Sequence, residues 1–351
     1  MYSPGMSILE WRSALGRPII VAELSGNHGQ NLGVAKAMVA AVAEAGADAI
    51  KLQTYTPDTM TLPLNSSEFR IEDAASLWKG QSLYDLYSKA FTPWEWHDEI
   101  FQYAHSLGLV AFSSPFDETA VSFLESLNCP FYKIASFELV DIPLITRAAN
   151  TGKPLIMSTG MATIEEISEA VDAARRAGVK ELVLLKCTSA YPAAPSDCHL
   201  KTIEDMKDRF QCPVGLSDHT QGIGVPLASV AWEPCLVEKH FTLDRKAGGV
   251  DADFSLEPPE LKLLVTEITR ASQAVGEVHY GGSPAENAEK VFRRSIYARA
   301  DIPPGSVISR DDLAIIRPGY GLAPKHIDQV VGATAATFIR RGDPIRWDAL
   351  T

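Results

Sequence analysis

Short apolar runs alternate with amphipathic segments over roughly the first 275 residues of the chain. Each apolar run has the length of a buried parallel strand, and each amphipathic segment repeats apolar residues at helical spacing. The predicted strands are 19–23, 49–53, 109–113, 131–135, 154–158, 181–187, 213–217 and 236–240. The predicted helices are 32–45, 92–106, 118–127, 142–150, 163–178, 201–209, 225–232 and 258–275. A long polar stretch, 56–91, follows the second strand.

Eight strand–helix units in this length predict an α/β protein with a TIM (β/α)8 barrel, over residues 1–280. A doubly wound open sheet is the competing fold, and it usually has fewer strands and a glycine-rich first turn. The first turn here, Ser25-Gly-Asn-His-Gly29, lacks the spacing of a dinucleotide-binding fingerprint. The pattern therefore favours the barrel.

The pattern changes towards the carboxyl end of the chain. A linker is predicted over residues 281–294, and short strand-like pieces follow at 295–300, 308, 313–316 and 336–340. Proline–glycine turn signals separate these pieces. Residues 295–351 are thus predicted to form a small, mostly β domain, and a domain of that size is only marginally stable alone.

Composition narrows the class of protein. Hydrophobic residues make up 46% and charged residues 22%, as in an ordinary globular protein, and the five cysteines have no regular spacing. The formal net charge of -12 argues against nucleic acid as a partner. No apolar run reaches the length of a membrane span, and the first residues lack the features of a secretory signal. We therefore expect a cytoplasmic protein with reduced thiols.

Polar side chains occupy the end of every predicted strand, which is where the active site of a barrel lies. Lys51, Lys133 and Lys186 are predicted to converge with several hydroxyl groups, as a cradle for a phosphate and a carboxylate. Glu23, on strand 1, is the best acid–base candidate. Tyr191 and Asp251 lie in loops and are weaker candidates, suited to a sugar hydroxyl or an amide.

Two histidines at neighbouring strand ends, His219 and His240, are 21 residues apart, or about one strand–helix unit. Neutral imidazoles in that arrangement can share one divalent metal ion. Two ligands are too few for a structural zinc site, so an open site for Mn or Mg is predicted, with a Lewis-acid role. Four other histidines are expected at the surface: His97, His105, His199 and His326.

Seven motifs in order make the chain resemble the sialic acid synthase family along nearly its whole length. They are Ala22-Glu-Leu-Ser-Gly-Asn-His28, Lys51-Leu-Gln53, Tyr132-Lys-Ile-Ala-Ser136, Ser158-Thr-Gly160, Cys187-Thr-Ser-Ala-Tyr-Pro192, Gly215-Leu-Ser-Asp-His-Thr220 and Glu238-Lys-His-Phe-Thr242. The small carboxyl-terminal domain is similar to the antifreeze-like (SAF) domain of that family. Within the family, segments such as Phe112-Ser-Ser-Pro-Phe-Asp117 are most similar to the pseudaminic acid branch.

The resemblance implies condensation of phosphoenolpyruvate with an open-chain N-acetylated amino sugar, which yields a nonulosonic acid and phosphate. It places a divalent metal (Mn or Mg, with Co possible) on His219 and His240, with the sugar aldehyde oxygen. The implied catalytic residues are Glu23, Tyr191 and Asp251. The implied substrate-binding residues are Lys51, Gln53, Ser114, Lys133, Ser136, Ser158, Ser189, Ser217 and Arg317. Gln53, Tyr191 and Asp251 match positions near the acceptor sugar.

Arg317 matches an arginine that reaches the partner subunit's site, which implies a domain-swapped homodimer. Ser189 stands where the sialic acid branch has asparagine, and Lys186 where it has histidine. The acceptor expected from the closest branch is 2,4-diacetamido-2,4,6-trideoxy-altrose. An N-acetylneuraminate or legionaminate synthase is the first alternative. A Schiff-base pyruvate aldolase using Lys186 or Lys133, and a non-catalytic sugar-binding protein, are more distant ones.

Overall fold

A computed structural model describes residues 2–3, 5–73 and 76–351 of the chain. The chain divides into two compact units, residues 1–276 and 277–351. Each unit has its own hydrophobic core. No helix among the described residues is long and apolar enough to cross a membrane.

Eight parallel strands of the described chain close a barrel in sequential order, which confirms the predicted fold. The strands are β1 Ile19–Glu23, β2 Ala49–Thr54, β3 Val110–Pro115, β4 Tyr132–Ile134, β5 Leu155–Ser158, β6 Leu182–Cys187, β7 Val214–Asp218 and β8 Leu236–His240. The barrel closes where β1 pairs with β8, with Glu23 beside His240. Because all strands run the same way, their carboxyl ends form one mouth, where the polar strand ends meet.

Helices surround the barrel largely where the periodicity predicts them. Their bounds are α1 Ile8–Leu15, α2 Leu32–Ala45, α3 Pro57–Met60, α4 Leu83–Ala90, α5 His97–Ser106, α6 Glu118–Ser126, α7 Ile142–Ala149, α8 Ile164–Arg176, α9 Thr202–Phe210, α10 Gly224–Ser229 and α11 Pro258–Val275. A capping box between Thr163 and Glu166 opens α8, at the residue where the helix is predicted to begin. The prediction missed α1, α3 and α4, which are short: α1 and α4 bury only two residues each, and α3 buries none.

Helix α1 attaches to the amino-terminal end of the barrel. The Glu181 carboxylate, just before β6, accepts the backbone N–H groups of Ile8 and Leu9 at 2.8 and 3.1 Å. Unsatisfied N–H groups at a helix start favour a carboxylate there. Trp11 of this helix is buried in the barrel core. The opposite end of the barrel is therefore the one that remains available for chemistry.

The second unit is built around a small antiparallel pair, β9 Ser295–Ala298 and β10 Leu313–Ile316. The predicted piece 336–340 forms only an isolated bridge, between Ile339 and Ile302, and another bridge joins Val307, next to the predicted residue 308, with Thr334. Helix α12, Pro284–Glu289, occupies part of the predicted linker, and α13 is Ile327–Val330. Short pieces pairing through single bridges give a mostly irregular, β-type domain.

Candidate active site

Four buried charges form a continuous network at the barrel mouth. Lys51 Nζ lies 2.9 Å from Glu23 Oε2 and 2.9 Å from Glu238 Oε1. Lys133 Nζ is 3.2 Å from the same Glu238 oxygen, and the Ser217 hydroxyl is 3.4 Å from it. All four charged residues are at most 4% exposed. Glu238 thus joins the two lysines, which the sequence placed on different strands.

The two carboxylates of this network differ in proton affinity. Burial raises the pKa of Glu23 above its usual value, against the opposing charge of Lys51. Burial alone would also raise the pKa of Glu238, but Lys133 and Lys51 hold it below its usual value. Burial lowers the pKa of Lys133. Within this pair, Glu23 is therefore the carboxyl that holds a proton more readily, and Glu238 the one that favours the ionised form.

Hydroxyl groups gather on the other side of the mouth. The Gly160 backbone N–H donates to Ser136 Oγ at 3.1 Å. A side chain at Gly160 would collide with Ser189, so only glycine leaves this space open. The Ser114 and Ser158 hydroxyls are fully buried and have no hydrogen-bond partner among the described residues. Unpaired buried hydroxyls are costly, and a bound anion would satisfy them.

His219 and His240 meet at the mouth, with ring centroids 5.2 Å apart. Nδ1 of His219 is 3.0 Å from the Thr188 carbonyl oxygen, so it carries the proton and leaves Nε2 for a metal. Nδ1 of His240 is buried without a hydrogen-bond partner among the described residues. Burial lowers the pKa of His240 well below its usual value, so its ring is neutral, as a metal ligand must be.

The two histidines fit a divalent ion by these criteria. Among the described residues, no group of three or more His, Cys, Asp or Glu side chains is arranged to hold a metal ion. Two imidazoles on adjacent strands would therefore be the protein's share of the ligands. Cys187 lies 3.8 Å from His219 Nδ1, and this contact raises the pKa of His219 although burial alone would lower it.

Tyr191 and Asp251 border the histidine pair. The Tyr191 ring lies 4.6 Å from the His219 ring, and both pack on Phe254. Asp251 Oδ2 is 3.7 Å from His240 Nδ1 and accepts the Ser25 hydroxyl. Both loop residues are thus brought to the site.

Four other residues named in the prediction differ from expectation or stand apart. The Lys186 ammonium donates to the Cys187 carbonyl at 2.9 Å and lies outside the network, so two lysines converge instead of three. His97 is fully buried and bonds to Thr54 Oγ1 at 2.8 Å, so its predicted surface position is wrong. Gln53 pairs in register with Ser114 at the end of β2. Arg317 is exposed in the second unit.

Comparisons with known proteins match this architecture. A model described as "NeuB family" matches residues 38–280, and the SAF domain model matches residues 293–351.

The chain belongs to the NeuB family.

Several of its relatives are named as synthases of nonulosonic acids. The pseudaminic acid synthase of Helicobacter pylori is 41% identical over 94% of this chain and 97% of that protein. The N,N'-diacetyllegionaminic acid synthase of Legionella pneumophila is 36% identical over 94% and 93%. The solved N-acetylneuraminic acid synthetase of Leptospira borgpetersenii, in complex with citrate, is 30% identical, with a TM-score of 0.69 over 78% of this chain and 90% of that one.

One partly buried carboxyl of this NeuB chain, Glu138, was not among the predicted site residues. Glu138 follows β4, and burial raises its pKa to about 7. Its Oε2 atom has no hydrogen-bond partner among the described residues. In the sequence, Glu138 comes two residues after the motif Tyr132-Lys-Ile-Ala-Ser136 at the end of strand 4. That position could have marked it as a site residue. Its raised pKa suits Glu138 to proton exchange near neutral pH.

A second buried ion pair lies on the other face of the strands that carry the histidines. Lys239 Nζ is 2.9 Å from Asp218 Oδ2, and both side chains are 1% exposed. Asp218 also accepts the Thr220 N–H and hydroxyl at 3.1 and 2.9 Å. Lys239 donates to the Thr220 carbonyl oxygen. The backbone on both sides of His219 is thereby tied to β8.

Replacing Lys239 by Met is expected to lower the free energy of unfolding by about 3–5 kcal/mol, because Asp218 would stay buried without its cation. Thermal or denaturant unfolding measures the change. The double variant Asp218→Asn/Lys239→Met should recover much of the loss, since the charge is then gone as well. Lys36→Met, which removes an exposed pair with Glu99, is the control and should melt like the parent. An unchanged midpoint for Lys239→Met would contradict the prediction.

Proposed function

We propose that the protein is a metal-dependent synthase that condenses phosphoenolpyruvate with 2,4-diacetamido-2,4,6-trideoxy-altrose to a nonulosonic acid and phosphate. The observation that carries the proposal is the set of side chains that meet at the barrel mouth. Two buried lysines stand beside unpaired buried hydroxyls and a pair of histidines at one end of the barrel. The name of the Helicobacter pylori relative supports the choice of acceptor.

Phosphoenolpyruvate would bind between the lysines and the hydroxyl groups. Lys51 and Lys133 supply positive charge within a chain of net charge -12. The serine hydroxyls would donate to its phosphate and carboxylate oxygens, and Gly160 leaves the space open. The serines assigned to this role are Ser114, Ser136, Ser158, Ser189 and Ser217. Each hydrogen bond to a charged oxygen is stronger than one between neutral groups.

His219 and His240 would hold a Mn or Mg ion (Co is possible), which supplies Lewis-acid polarisation of the acceptor's aldehyde oxygen. Gln53, Tyr191 and Asp251 would position the acceptor sugar beside them. Asp251 already lies next to His240, and Tyr191 next to His219. The acceptor's reactive carbon is thereby held facing the phosphoenolpyruvate site.

Glu23 would act as the general acid or base of the reaction. The methylene carbon of phosphoenolpyruvate attacks the aldehyde carbon, and water adds to the former enol carbon. Phosphate then leaves by cleavage of the C–O bond, and the aldehyde oxygen gains a proton. Glu23 accepts the proton of the attacking water, or supplies the one that the aldehyde oxygen takes. A buried carboxyl with a raised pKa is suited to both tasks.

We further propose a cytoplasmic homodimer in which Arg317 of one subunit completes the site of the other. This part rests on the resemblance of the SAF domain and on the exposure of Arg317. An exposed arginine in a separate unit is free to bind a carboxylate or hydroxyl elsewhere. Sedimentation of the purified protein separates a dimer from a monomer.

The decisive measurement is phosphate release from phosphoenolpyruvate with a panel of acceptors. The altro-configured diacetamido sugar should be used best, before its gluco isomer and N-acetylmannosamine. A preference for the gluco isomer or for N-acetylmannosamine would make the protein a legionaminate or neuraminate synthase instead. Borohydride trapping of pyruvate on Lys133 would indicate an aldolase, whose lysine forms an imine.

Metal dependence gives a second expected result. Phosphate release should stop in excess chelator and return on addition of Mn²⁺ or Mg²⁺, because the aldehyde would lack its Lewis acid. His219→Ala should abolish the response to added metal, whereas His105→Ala, at an exposed histidine, should not. Full activity in excess chelator would remove the metal from the proposal.

A further inference from the structure

Trp78 connects three loops at the barrel mouth. It belongs to the segment between β2 and α4, which closes on itself through a bridge between Arg70 and Ser82. The indole Nε1–H donates to the Val250 carbonyl oxygen at 2.7 Å, after β8. The indole ring lies 5.9 Å from the Tyr191 ring, after β6. Because β6 lies opposite β2 in a closed barrel of this order, the segment reaches across the mouth.

A cavity of about 520 Å³ lies on one side of this indole. Its lining includes Gly26, Trp78, Gln81, Lys89, Val250 and Asp253. Sites for small molecules usually have between about 300 and 1,000 Å³ and combine an apolar wall with a few polar groups. The cavity has that size and that mixture.

The cavity adjoins the acceptor side of the candidate active site. Gly26 follows Ser25, and Val250 precedes Asp251, while Ser25 and Asp251 are hydrogen-bonded to each other. A Cβ atom on Gly26 would lie 2.6 Å from Val250 and 2.8 Å from the Ala90 backbone, so a larger residue at this position would change the wall of the cavity. Asp251 in turn lies beside His240. Gly26 and Val250, which line the cavity, are therefore the immediate chain neighbours of Ser25 and Asp251 at the histidine pair.

We propose that this cavity binds the distal end of the acceptor sugar and that Trp78 selects an apolar group there, the methyl carbon of a 6-deoxy amino sugar. The proposal rests on the proposed function, which puts the aldehyde end of the open chain at His219 and His240. The remaining carbons then extend past Asp251. The indole face supplies an apolar wall for the methyl group, and Gln81, Lys89 and Asp253 supply polar groups for an acetamido substituent.

The test compares kcat/KM for two acceptors, the diacetamido 6-deoxy hexose and N-acetylmannosamine, which carries a hydroxyl at C6. Trp78→Ala should lower kcat/KM for the 6-deoxy acceptor at least about tenfold, mainly through its KM, because one methyl group in an apolar pocket is worth that much. N-acetylmannosamine should lose less, and KM for phosphoenolpyruvate should not change. Trp78→Phe should retain most of the preference, since it keeps an aromatic face.

Leu62→Ser is the matched control, because Leu62 is 57% exposed on the same segment and does not line the cavity. It should behave like the parent. Equal losses for both acceptors in Trp78→Ala and Trp78→Phe, or a raised KM for phosphoenolpyruvate, would overturn the selective role of Trp78. Melting temperatures of the variants exclude a general loss of folding.

Calorimetric titration of the 6-deoxy acceptor, without turnover, separates this proposal from the proposed function. Weaker binding to Trp78→Ala than to the parent would support the cavity even if no phosphate were released. Equal binding to both proteins would overturn the cavity while leaving the synthase intact. Absence of binding to the parent protein would overturn both.

Discussion

Glu23→Gln is expected to lower kcat for phosphate release by about 10²–10⁴-fold, the usual contribution of a general acid or base. The amide has the shape of the carboxyl but neither accepts nor releases the proton of the reaction. Affinity for phosphoenolpyruvate should change little, because Lys51 keeps its ion pair with Glu238 at 2.9 Å. Steady-state phosphate release and calorimetric binding of phosphoenolpyruvate give the two quantities separately.

The matched control is Glu99→Gln, since Glu99 is an exposed member of a surface ion pair with Lys36, on a helix outside the barrel. That variant should turn over like the parent. If Glu23→Gln kept full turnover, Glu23 would have no part in proton transfer, and Glu138 would become the next candidate. If it lost affinity for phosphoenolpyruvate to the same extent as kcat, its role would be in binding.

Gly160→Ala is expected to weaken phosphoenolpyruvate binding on the order of 10²-fold, because a shift of about 1 Å in a binding group costs that much. The added Cβ would lie 2.8 Å from Ser136 Oγ and collide with Ser189. Both hydroxyls would have to leave the positions proposed for binding the anion. Calorimetry with phosphoenolpyruvate measures the loss, and the melting temperature shows whether the barrel tolerates the methyl group.

Gly224→Ala provides the control for a methyl group alone. Gly224 begins α10, and a Cβ atom there would meet nothing within 4 Å. Its affinity for phosphoenolpyruvate should equal that of the parent. Parent-like affinity in Gly160→Ala would mean that the hydroxyl pair does not hold the anion.

The barrel could be predicted because its strands are apolar on both faces and its helices on one. Both patterns can be recognised in the sequence without knowing any contact between distant residues. The short helices α1 and α4 could not be predicted in the same way, since each buries only two residues and depends on packing against the barrel. The strands of the second unit were also hard to predict, because several of its strand-like pieces pair only through isolated bridges.

The site was harder to predict where a contact joins distant residues. His97 is buried because Thr54, 43 positions earlier, offers its hydroxyl, and nothing around His97 in the chain indicates that. Lys186 and Cys187 are neighbours on one strand, so their side chains point to opposite faces of the sheet. The sequence does not show which of the two faces His219. Glu238 was named at its strand end, but its contact with two lysines requires the closed barrel. Gly160 could be identified as part of a motif, and the space that it leaves only from the fold.

The ion pair between Asp218 and Lys239 has a consequence for folding. Along β7 and β8, these two residues alternate with Ser217, His219 and Glu238, which face the mouth. Asp218 and Lys239 are direct partners in the pairing of these strands. Since side chains alternate between faces, a slip of one residue would bury an unpaired charge among apolar helices and turn a histidine away from the mouth. The pair therefore raises the free energy of barrels in which β7 and β8 are out of register.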